Sequence, residues 1–401
     1  AKHFAGYGAS EAGRDYNTTN IPENELRNVY LPPFRAAVDA GVATLMASFS
    51  DLNGVPATGN RFLLTEVLRE EWQFDGFVVS DWASIKQLTV HGFVENEREA
   101  AYAAMHAGVN MEMATSIYAS NLESLLAQGR ITGRQIDAMV ADILRVKLRL
   151  GLFENPYTNP GELPAMSNDR RLATARESAL QSIVLLENRE RTLPLKRDDL
   201  GTLAVIGPLA DDPYEQLGTW IFDGDPSISR TPLQAIRKYV GERVEVRHVK
   251  AMETTRSRSA AAFEEALAAA KASDAIVVFL GEESILSGEA HSRADIGLPG
   301  NQAELVRTLG RAGKPLIAVI QAGRPLTLGN ILDDVDALLF AWHPGTMGGP
   351  AIADILFGVA SPSGKLPASF PKMVGQVPIY YAHKQTGRPA TAETFVHIDD
   401  I

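Results

Sequence analysis

The sequence predicts an α/β protein with two successive parallel sheets, and three observations lead to this prediction. Short runs rich in Val, Ile and Leu alternate with amphipathic stretches across residues 1–150 and again across residues 200–370. Residues 151–168, "GLFENPYTNPGELPAMSN", are rich in proline and lack this periodicity, so they are expected to be a linker. Alternating strands and helices imply parallel strands joined by right-handed crossovers. The 401 residues also suffice for two domains.

Residues 1–150 hold about four strand–helix units. A closed (β/α)8 barrel needs eight, so this part is either an open sheet or half of a barrel. Strands are predicted at Lys2–Ala5, Ala43–Phe49, Phe77–Ser80 and Val109–Met113. Helices are predicted at Glu23–Ala40, Asn60–Glu71, Glu97–Ala107, Ser120–Ala127 and Thr132–Leu150, the last with an apolar period close to 3.6 residues.

Residues 169–401 are expected to form the second domain. Its first helix is predicted to start after the cap residues Ser167 and Asn168 and to run to about Glu187. Strands follow at Leu203–Ile206, Val244–Val249, Ala275–Leu280, Leu316–Gln321 and Ala337–Ala341, with helices at Pro232–Val240, Ala260–Ala272, Gln302–Arg311 and Gly349–Phe357. This order fits a doubly wound parallel sheet.

Composition excludes several classes of function. The net charge of −11 argues against a nucleic-acid partner, since binding to phosphates requires a basic surface. No apolar run approaches the roughly 18–20 residues of a membrane helix, so we expect no membrane partner. The absence of cysteine excludes disulfides, thiolate catalysis and Cys-ligated metals.

Several nucleotide, metal and esterase motifs are also absent. The segment Gly358–Lys365, "GVASPSGK", has the wrong glycine spacing for a P-loop, and Leu366 stands where Ser or Thr would hold magnesium. There is no G-x-S-x-G, no H-E-x-x-H, and no G-x-G-x-x-G that opens a helix after a strand. We therefore predict no cofactor and no metal, and disfavour kinases, dehydrogenases, zinc hydrolases and α/β-hydrolase esterases.

The first candidate site residue is Asp81, at the carboxyl end of a predicted parallel strand in "GFVVSDWASIKQL". Barrels place their chemistry at this end of the strands. Aspartate is also a favoured helix N-cap, which is the simpler interpretation of its position. Trp82 next to it offers a flat apolar face suited to stacking on a sugar ring, unless it is a buried structural residue.

Two further candidates lie elsewhere in the chain. Lys2 and His3 stand at a strand end before "FAGYGAS", where they could donate hydrogen bonds to hydroxyls or remain a solvated terminal pair. Glu289 lies in the loop "SGEAHSR" after the strand "AIVVFLGE", in a position where doubly wound sheets bind ligands. Small neighbours leave space around it, whereas the nearby Glu282 and Glu283 are interpreted as solvated loop acids.

A pair of carboxylates on different domains suggests glycoside hydrolysis. In a retaining glycosidase one carboxylate attacks the anomeric carbon while a second acid protonates the leaving oxygen, and the two carboxyl groups lie roughly 5–5.5 Å apart. The nucleophile must stay ionised, whereas a less solvated acid has a raised pKa.

Seven motifs, in order along nearly the whole chain, resemble glycoside hydrolase family 3 β-glucosidases. They are "KHFAGYG", "LMASFSDLNGVPAT", "LREEWQFDGFVVSDW", "LGLFENPY", "LLENRERTLPL", "GEAHSRADIGLPGNQ" and "SGKLPASFP". The resemblance implies the C-terminal part of a (β/α)8 barrel in residues 1–150, the linker, and an (α/β)6 flavodoxin-like sandwich in residues 169–401. It also implies that Asp81 is the nucleophile and Glu289 the acid/base.

The resemblance assigns binding roles as well. Lys2 and His3 should bind hydroxyls of the −1 sugar, and Trp82 should stack on the −1 or +1 sugar. The family begins its barrel before the "KHF" strand and ends after a fibronectin-like domain. We therefore expect the remaining half of the barrel to come from another chain or from a segment outside this sequence, unless it is lost to processing.

The predicted function is that of a retaining exo-acting β-glucosidase that removes terminal non-reducing β-D-glucosyl residues. The alternatives are a β-xylosidase or an exo-β-glucanase with the same machinery, and a sugar-binding fragment without turnover. The "KHFAGYG" strand disfavours the family's N-acetylglucosaminidases. The expected partner is a β-glucoside or gluco-oligosaccharide, and the sequence does not decide whether the chain forms a homo-oligomer. The resemblance implies a periplasmic or secreted location.

Overall fold

The computed structural model describes residues 1–162 and 167–389, which fall into two compact units, unit 1 within residues 1–162 and unit 2 within residues 167–389. Part of the predicted linker, residues 163–166, and the end of the predicted second domain, residues 390–401, lie outside the described residues. Each unit is an α/β structure with parallel strands, which confirms the predicted fold class.

Unit 1 contains short strands and longer helices. Its strands are β1 (Thr44–Met46), β2 (Asp51–Leu52), β3 (Val55–Pro56), β4 (Phe77–Trp82) and β5 (Met111–Met113). Its α-helices are α1 (Glu23–Glu25), α2 (Pro32–Asp39), α3 (Ser84–Val90), α4 (Glu97–Ala107), α5 (Ile117–Ala127) and α6 (Gly133–Arg149), with π-helices at Leu26–Tyr30 and Phe62–Glu71.

Strands β1, β4 and β5 form a parallel sheet with β4 in the middle. The predicted strand Lys2–Ala5 is reduced to a parallel bridge between Phe4 and Ala47, next to β1. Gly6 explains why it ends, because its φ of 83° turns the chain away directly after Ala5. The first residues nevertheless lie along the sheet, since the Phe4 N–H donates to the Met46 carbonyl at 2.8 Å.

One predicted helix of unit 1 is divided in the structure, and one hairpin of unit 1 was not predicted. The single helix predicted over Glu23–Ala40 is divided into α1, a π-helix and α2, because Pro32 and Pro33 lack the N–H groups that would continue the hydrogen-bond ladder. The β2–β3 hairpin is the element that was not predicted. Its turn is Asn53–Gly54, both with positive φ, as two-residue hairpin turns require.

Unit 2 is built around a six-stranded sheet in the order β6-β11-β10-β9-β7-β8. The strands are β6 (Val184–Asn188), β7 (Thr202–Ile206), β8 (Glu245–Val249), β9 (Ala275–Gly281), β10 (Leu316–Gln321) and β11 (Ala337–Phe340). The α-helices are α7 (Asp169–Ser182), α8 (Pro232–Val240), α9 (Phe263–Lys271), α10 (Gln302–Gly310) and α11 (Gly348–Leu356).

Strand β6 corrects the sequence analysis, which extended the first helix of this unit to about Glu187. The helix ends at Ser182, and the β-branched Ile183 and Val184 begin an extended segment. Strand β6 then pairs antiparallel with β11 at the edge of the sheet, so the sheet is mixed rather than wholly parallel.

Helices cover both faces of this sheet. Along β10, Ile317 and Val319 join the apolar cluster under α7, α8 and α11, whereas Ala318 and Ile320 join the cluster under α9 and α10. All four side chains are fully buried. Because both faces are covered, the loops that leave the carboxyl ends of the strands are where this unit exposes functional groups.

Candidate active site

In unit 1 the structure places Asp81 at the carboxyl end of β4, the middle strand of the sheet. Asp81 is only 6% exposed. Its Oδ1 accepts a hydrogen bond from the Trp82 N–H at 2.7 Å, and its Oδ2 lies 3.3 Å from the Nε2 of His3. The Trp82 N–H therefore fixes one carboxylate oxygen, and the His3 ring faces the other.

A break in the sheet directs Asp81 towards this environment. The β4–β5 register shifts between Val79 and Trp82. At the shift the Ser80 hydroxyl replaces a backbone acceptor, since it receives the Met113 N–H at 2.9 Å, and the Ala83 N–H then donates to the Met113 carbonyl at 3.1 Å. The irregularity changes the direction of side chains at the end of the strand, as bulges next to sites do.

Asp81 is not a helix cap. The N-cap of α3 is Ala83, which has a φ of 56° and no capping side chain. The interpretation of Asp81 as the N-cap is therefore wrong, and its carboxylate instead accepts the N–H of Trp82, the residue directly after it.

The other predicted residues of unit 1 differ in their settings. His3 is partly buried and lies edge-on to Tyr7, with ring centroids 5.0 Å apart. Lys2 is exposed. Trp82 is 66% exposed, so it is not a buried structural residue and its ring is accessible to a ligand.

In unit 2 Glu289 lies in the loop that follows β9. Gly281 ends this strand so close to β10 that a Cβ there would lie 1.7 Å from the Gln321 carbonyl oxygen. The loop then turns at Gly288, which has a φ of 103° and where a Cβ would lie 2.3 Å from Thr219 Oγ1. Glu289 is half-buried at the turn.

The structure separates Glu289 from the two acids near it in sequence. Glu282 and Glu283 are buried, not solvated as the sequence analysis supposed, because each contacts arginine. For Glu283, burial opposes ionisation, but the hydrogen bonds from Arg256 and Thr255 outweigh it and hold the pKa of that carboxyl below its usual value.

The loop also carries a histidine contact that the sequence analysis did not identify. Ser287 Oγ lies 3.2 Å from Nε2 of His343, which follows β11. Burial lowers the pKa of His343 to about 4, so its imidazole is neutral near pH 7. No local sequence pattern could indicate this contact, because 56 residues separate Ser287 from His343.

Two exposed aromatic residues lie beside this loop and were also missed. Trp220 and Phe222 are 57% and 83% exposed and pack edge-on, with ring centroids 5.1 Å apart. They follow Thr219, the residue in contact with Gly288. Aromatic rings exposed on a loop next to a candidate acid provide flat apolar surface for a sugar.

Within the described ranges, 1–162 and 167–389, no helix has the length and apolar character to cross a bilayer. Across the same residues, no cluster of three or more His, Asp or Glu side chains could hold a metal ion.

A buried carboxylate at the end of a parallel strand and a second carboxylate on a loop of another α/β unit are the groups required for glycoside hydrolysis. Residues 1–146 match the glycosyl hydrolase family 3 N terminal domain, and residues 183–397 match the family's C-terminal domain. The chain belongs to glycoside hydrolase family 3, as the resemblance predicted.

Several characterised proteins are similar to it. A periplasmic β-glucosidase of Salmonella typhimurium is 40% identical, across 98% of this chain and 54% of the relative. A β-xylosidase of Formosa agariphila is 38% identical, across 96% of this chain and 55% of the relative. The crystal structure of a β-glucosidase from Listeria innocua in complex with glucose is similar, with a TM-score of 0.93 and 40% identity, over 100% of this chain and 55% of that one. The chain thus spans about half the length of these relatives.

Proposed function

We propose that the protein is a retaining, exo-acting β-glucosidase. Asp81 attacks the anomeric carbon of a terminal non-reducing glucosyl residue, while Glu289 protonates the departing oxygen. Water then hydrolyses the glycosyl–Asp81 ester, with Glu289 acting as the base. The names of the relatives from Salmonella and Listeria support glucose as the sugar.

The setting of Asp81 is the observation that carries this proposal. A nucleophilic carboxylate must be ionised, fixed and close to groups that bind the sugar. Asp81 is buried at a strand end, with one oxygen bonded to a backbone N–H and the other 3.3 Å from His3. The helix that follows is capped at Ala83 without a side-chain hydrogen bond, so Asp81 is not its N-cap.

The neighbouring groups fit sugar binding. His3 and Lys2 would donate hydrogen bonds to hydroxyls of the −1 sugar. Trp82 would stack on the −1 or +1 sugar, and the exposed ring of Trp220 offers a further apolar surface beside the Glu289 loop.

The stereochemistry of the product tests the retaining mechanism. We expect full-length protein to release glucose from a β-glucoside first as the β anomer, which proton NMR resolves before the anomers equilibrate. First release of the α anomer would contradict a glycosyl–Asp81 intermediate. Reducing-end-labelled cellotriose should yield free glucose and labelled cellobiose if the enzyme is exo-acting, and free cellobiose with labelled glucose if it is not.

Leaving-group dependence tests the role of Glu289. Glu289→Gln should lower kcat/KM for cellobiose far more than for 2,4-dinitrophenyl β-glucoside, because the activated phenol departs without protonation. Equal losses on both substrates would remove Glu289 from the acid role.

The second candidate function is β-xylosidase activity, which the 38% identity to the Formosa enzyme favours. An exo-β-glucanase would use the same residues. We expect kcat/KM for 4-nitrophenyl β-glucoside to exceed that for the β-xyloside, and the reverse order would identify a β-xylosidase. Sugar binding without turnover of either substrate would support the non-catalytic alternative.

We also infer a periplasmic or secreted location, supported by the periplasmic relative from Salmonella. Cell fractionation tests this inference. Activity that stays with a cytosolic marker enzyme would contradict it.

A further inference from the structure

The loop that carries Glu289 begins at a fully buried carboxylate. Glu282 directly follows β9, and none of its side chain is exposed. Arg293 Nη1 bonds to its Oε1, and Arg324 Nε lies 3.2 Å from its Oε2. The side chains of Arg293 and Arg324 are themselves only 17% and 19% exposed, so the three side chains form a largely buried cluster.

The same arginines also bond to the backbone on both sides of Glu289. Arg324 Nη2 donates to the Leu286 carbonyl and, at 2.9 Å, to the His291 carbonyl. Arg293 Nη2 donates to the Gly297 carbonyl at 3.0 Å. Arg324 thus bridges the residues that precede and follow Glu289, although it lies on the connection after β10.

The charges of the cluster explain why this arrangement is rigid. A buried carboxylate without partners is strongly destabilised, and two guanidinium groups satisfy both oxygens of Glu282. Two cations face one anion, and Nη2 of each arginine bonds to loop carbonyls. Displacement of residues 286–291 away from Arg324 would therefore break charge-assisted hydrogen bonds to a partly buried cluster.

We propose that the cluster of Glu282, Arg293 and Arg324 positions Glu289 for proton transfer. This inference rests on the proposed acid/base role of Glu289. The three members are positioning residues, since they act through the loop backbone rather than on the sugar. General acid catalysis needs the acid within about 2.6–3.2 Å of the leaving oxygen, and a displacement of about 1 Å can cost about 100-fold in rate.

Arg324→Met is the most informative substitution, because it removes the donors to Leu286 and His291 together with one partner of Glu282. We expect kcat/KM for cellobiose to fall by roughly 10- to 100-fold more than kcat/KM for 2,4-dinitrophenyl β-glucoside. Arg324→Lys keeps the charge beside Glu282 but loses the planar fork, so it should fold and show a smaller loss of the same kind.

Arg176→Met is the matched control. Arg176 bonds to the largely buried Asp354 and joins α7 to α11 within the same unit. Its removal also breaks an arginine–carboxylate pair and should lower the melting temperature. It should reduce kcat/KM for both substrates equally, because it does not hold the Glu289 loop.

Glu289→Gln, measured alongside, distinguishes failure of the proposed acid role of Glu289 from failure of the positioning role of the cluster. If Glu289→Gln discriminates between the substrates but both Arg324 variants lower kcat/KM equally on each, the positioning role is overturned and the proposed function stands. If Glu289→Gln itself does not discriminate, the acid role fails and the positioning role fails with it.

Discussion

Asp81 and Glu289 are held in place in opposite ways, each within its own unit. Asp81 sits on the middle strand of a parallel sheet, and the residues that fix it are the adjacent Trp82 and the first segment of the chain. Glu289 sits on a loop whose carbonyls are held by Arg293 of the same loop and by Arg324 from the connection after β10. The proposed nucleophile therefore depends on local backbone geometry, whereas the proposed acid depends on ion pairs that include a residue distant in sequence.

The largest effect should come from Asp81→Asn, which keeps the shape of the strand end and removes the proposed nucleophile. We expect kcat to fall by roughly 10⁴-fold or more on every β-glycoside, whatever the leaving group. Steady-state kinetics with both activated and poor substrates would measure this loss.

Asp75→Asn is the control for this change, since Asp75 is an exposed aspartate just before β4 that pairs with Arg149. It should leave kcat nearly unchanged. Retention of turnover in Asp81→Asn would contradict the nucleophile assignment and the first half of the comparison.

An intermediate effect is expected from Gly288→Ala, which disturbs the loop without touching a charge. The new Cβ would lie 2.3 Å from Thr219 Oγ1, so the loop or the Thr219 side chain must shift. We expect kcat/KM for cellobiose to fall by about 10-fold more than for the dinitrophenyl glucoside.

Gly313→Ala is the control that distinguishes the effect of a displaced loop from the effect of backbone strain. Gly313 also has a positive φ, 63°, but open space around its Cβ position, so its substitution costs stability alone. If Gly288→Ala and Gly313→Ala had the same kinetic profile, the acid would not depend on the position of its loop.

His3→Gln should produce a smaller kinetic effect that does not discriminate between leaving groups. Glutamine retains a donor but lacks the imidazole ring that faces the Asp81 carboxylate, so we expect a loss of about 10-fold in kcat/KM on both substrates. A loss confined to the substrate with the poor leaving group would place His3 in the proton-transfer step. Proton transfer would then not belong to the Glu289 region alone.

The smallest effect concerns stability. Because burial lowers the pKa of His343 to about 4 from its usual 6.5, the unfolded chain binds a proton that the folded protein does not bind between these values. The free energy of unfolding that depends on His343 is therefore complete above pH 6.5 and declines as the pH falls towards 4. At pH 4.5 the decline should reach about 2.5 kcal/mol.

Hydrogen exchange of the amides of β9, β10 and β11 at pH 7 and 4.5 would measure this decline within unit 2. His343→Gln should make the difference between the two pH values smaller. An unchanged difference would show that His343 does not remain neutral in the folded protein.

The sequence was more informative about the Asp81 region than about the Glu289 region, for a physical reason. A run of β-branched residues followed by an aspartate predicts a strand end from adjacent residues alone. The support of Glu289 comes from Arg324, which is 42 residues from Glu282, and no local pattern indicates such a pairing.

Not every missed element was non-local. Asn53–Gly54 is a hairpin signal between adjacent residues, and the structure has a hairpin there that was not predicted. Strand β6 was merged with the helix before it, because only its pairing with β11 distinguishes a short apolar run at the edge of a sheet from a helical turn.

The central claim is that Asp81 is the nucleophile, and covalent trapping tests it most directly. Full-length protein would be incubated with 2,4-dinitrophenyl 2-deoxy-2-fluoro-β-glucoside, digested and analysed by peptide mass mapping. We predict a single fluoroglucosyl label on Asp81, in the peptide that contains "GFVVSDW", and no label in the Asp81→Asn protein. A label on another carboxylate, or no label on folded protein that hydrolyses the unfluorinated glucoside, would contradict the claim.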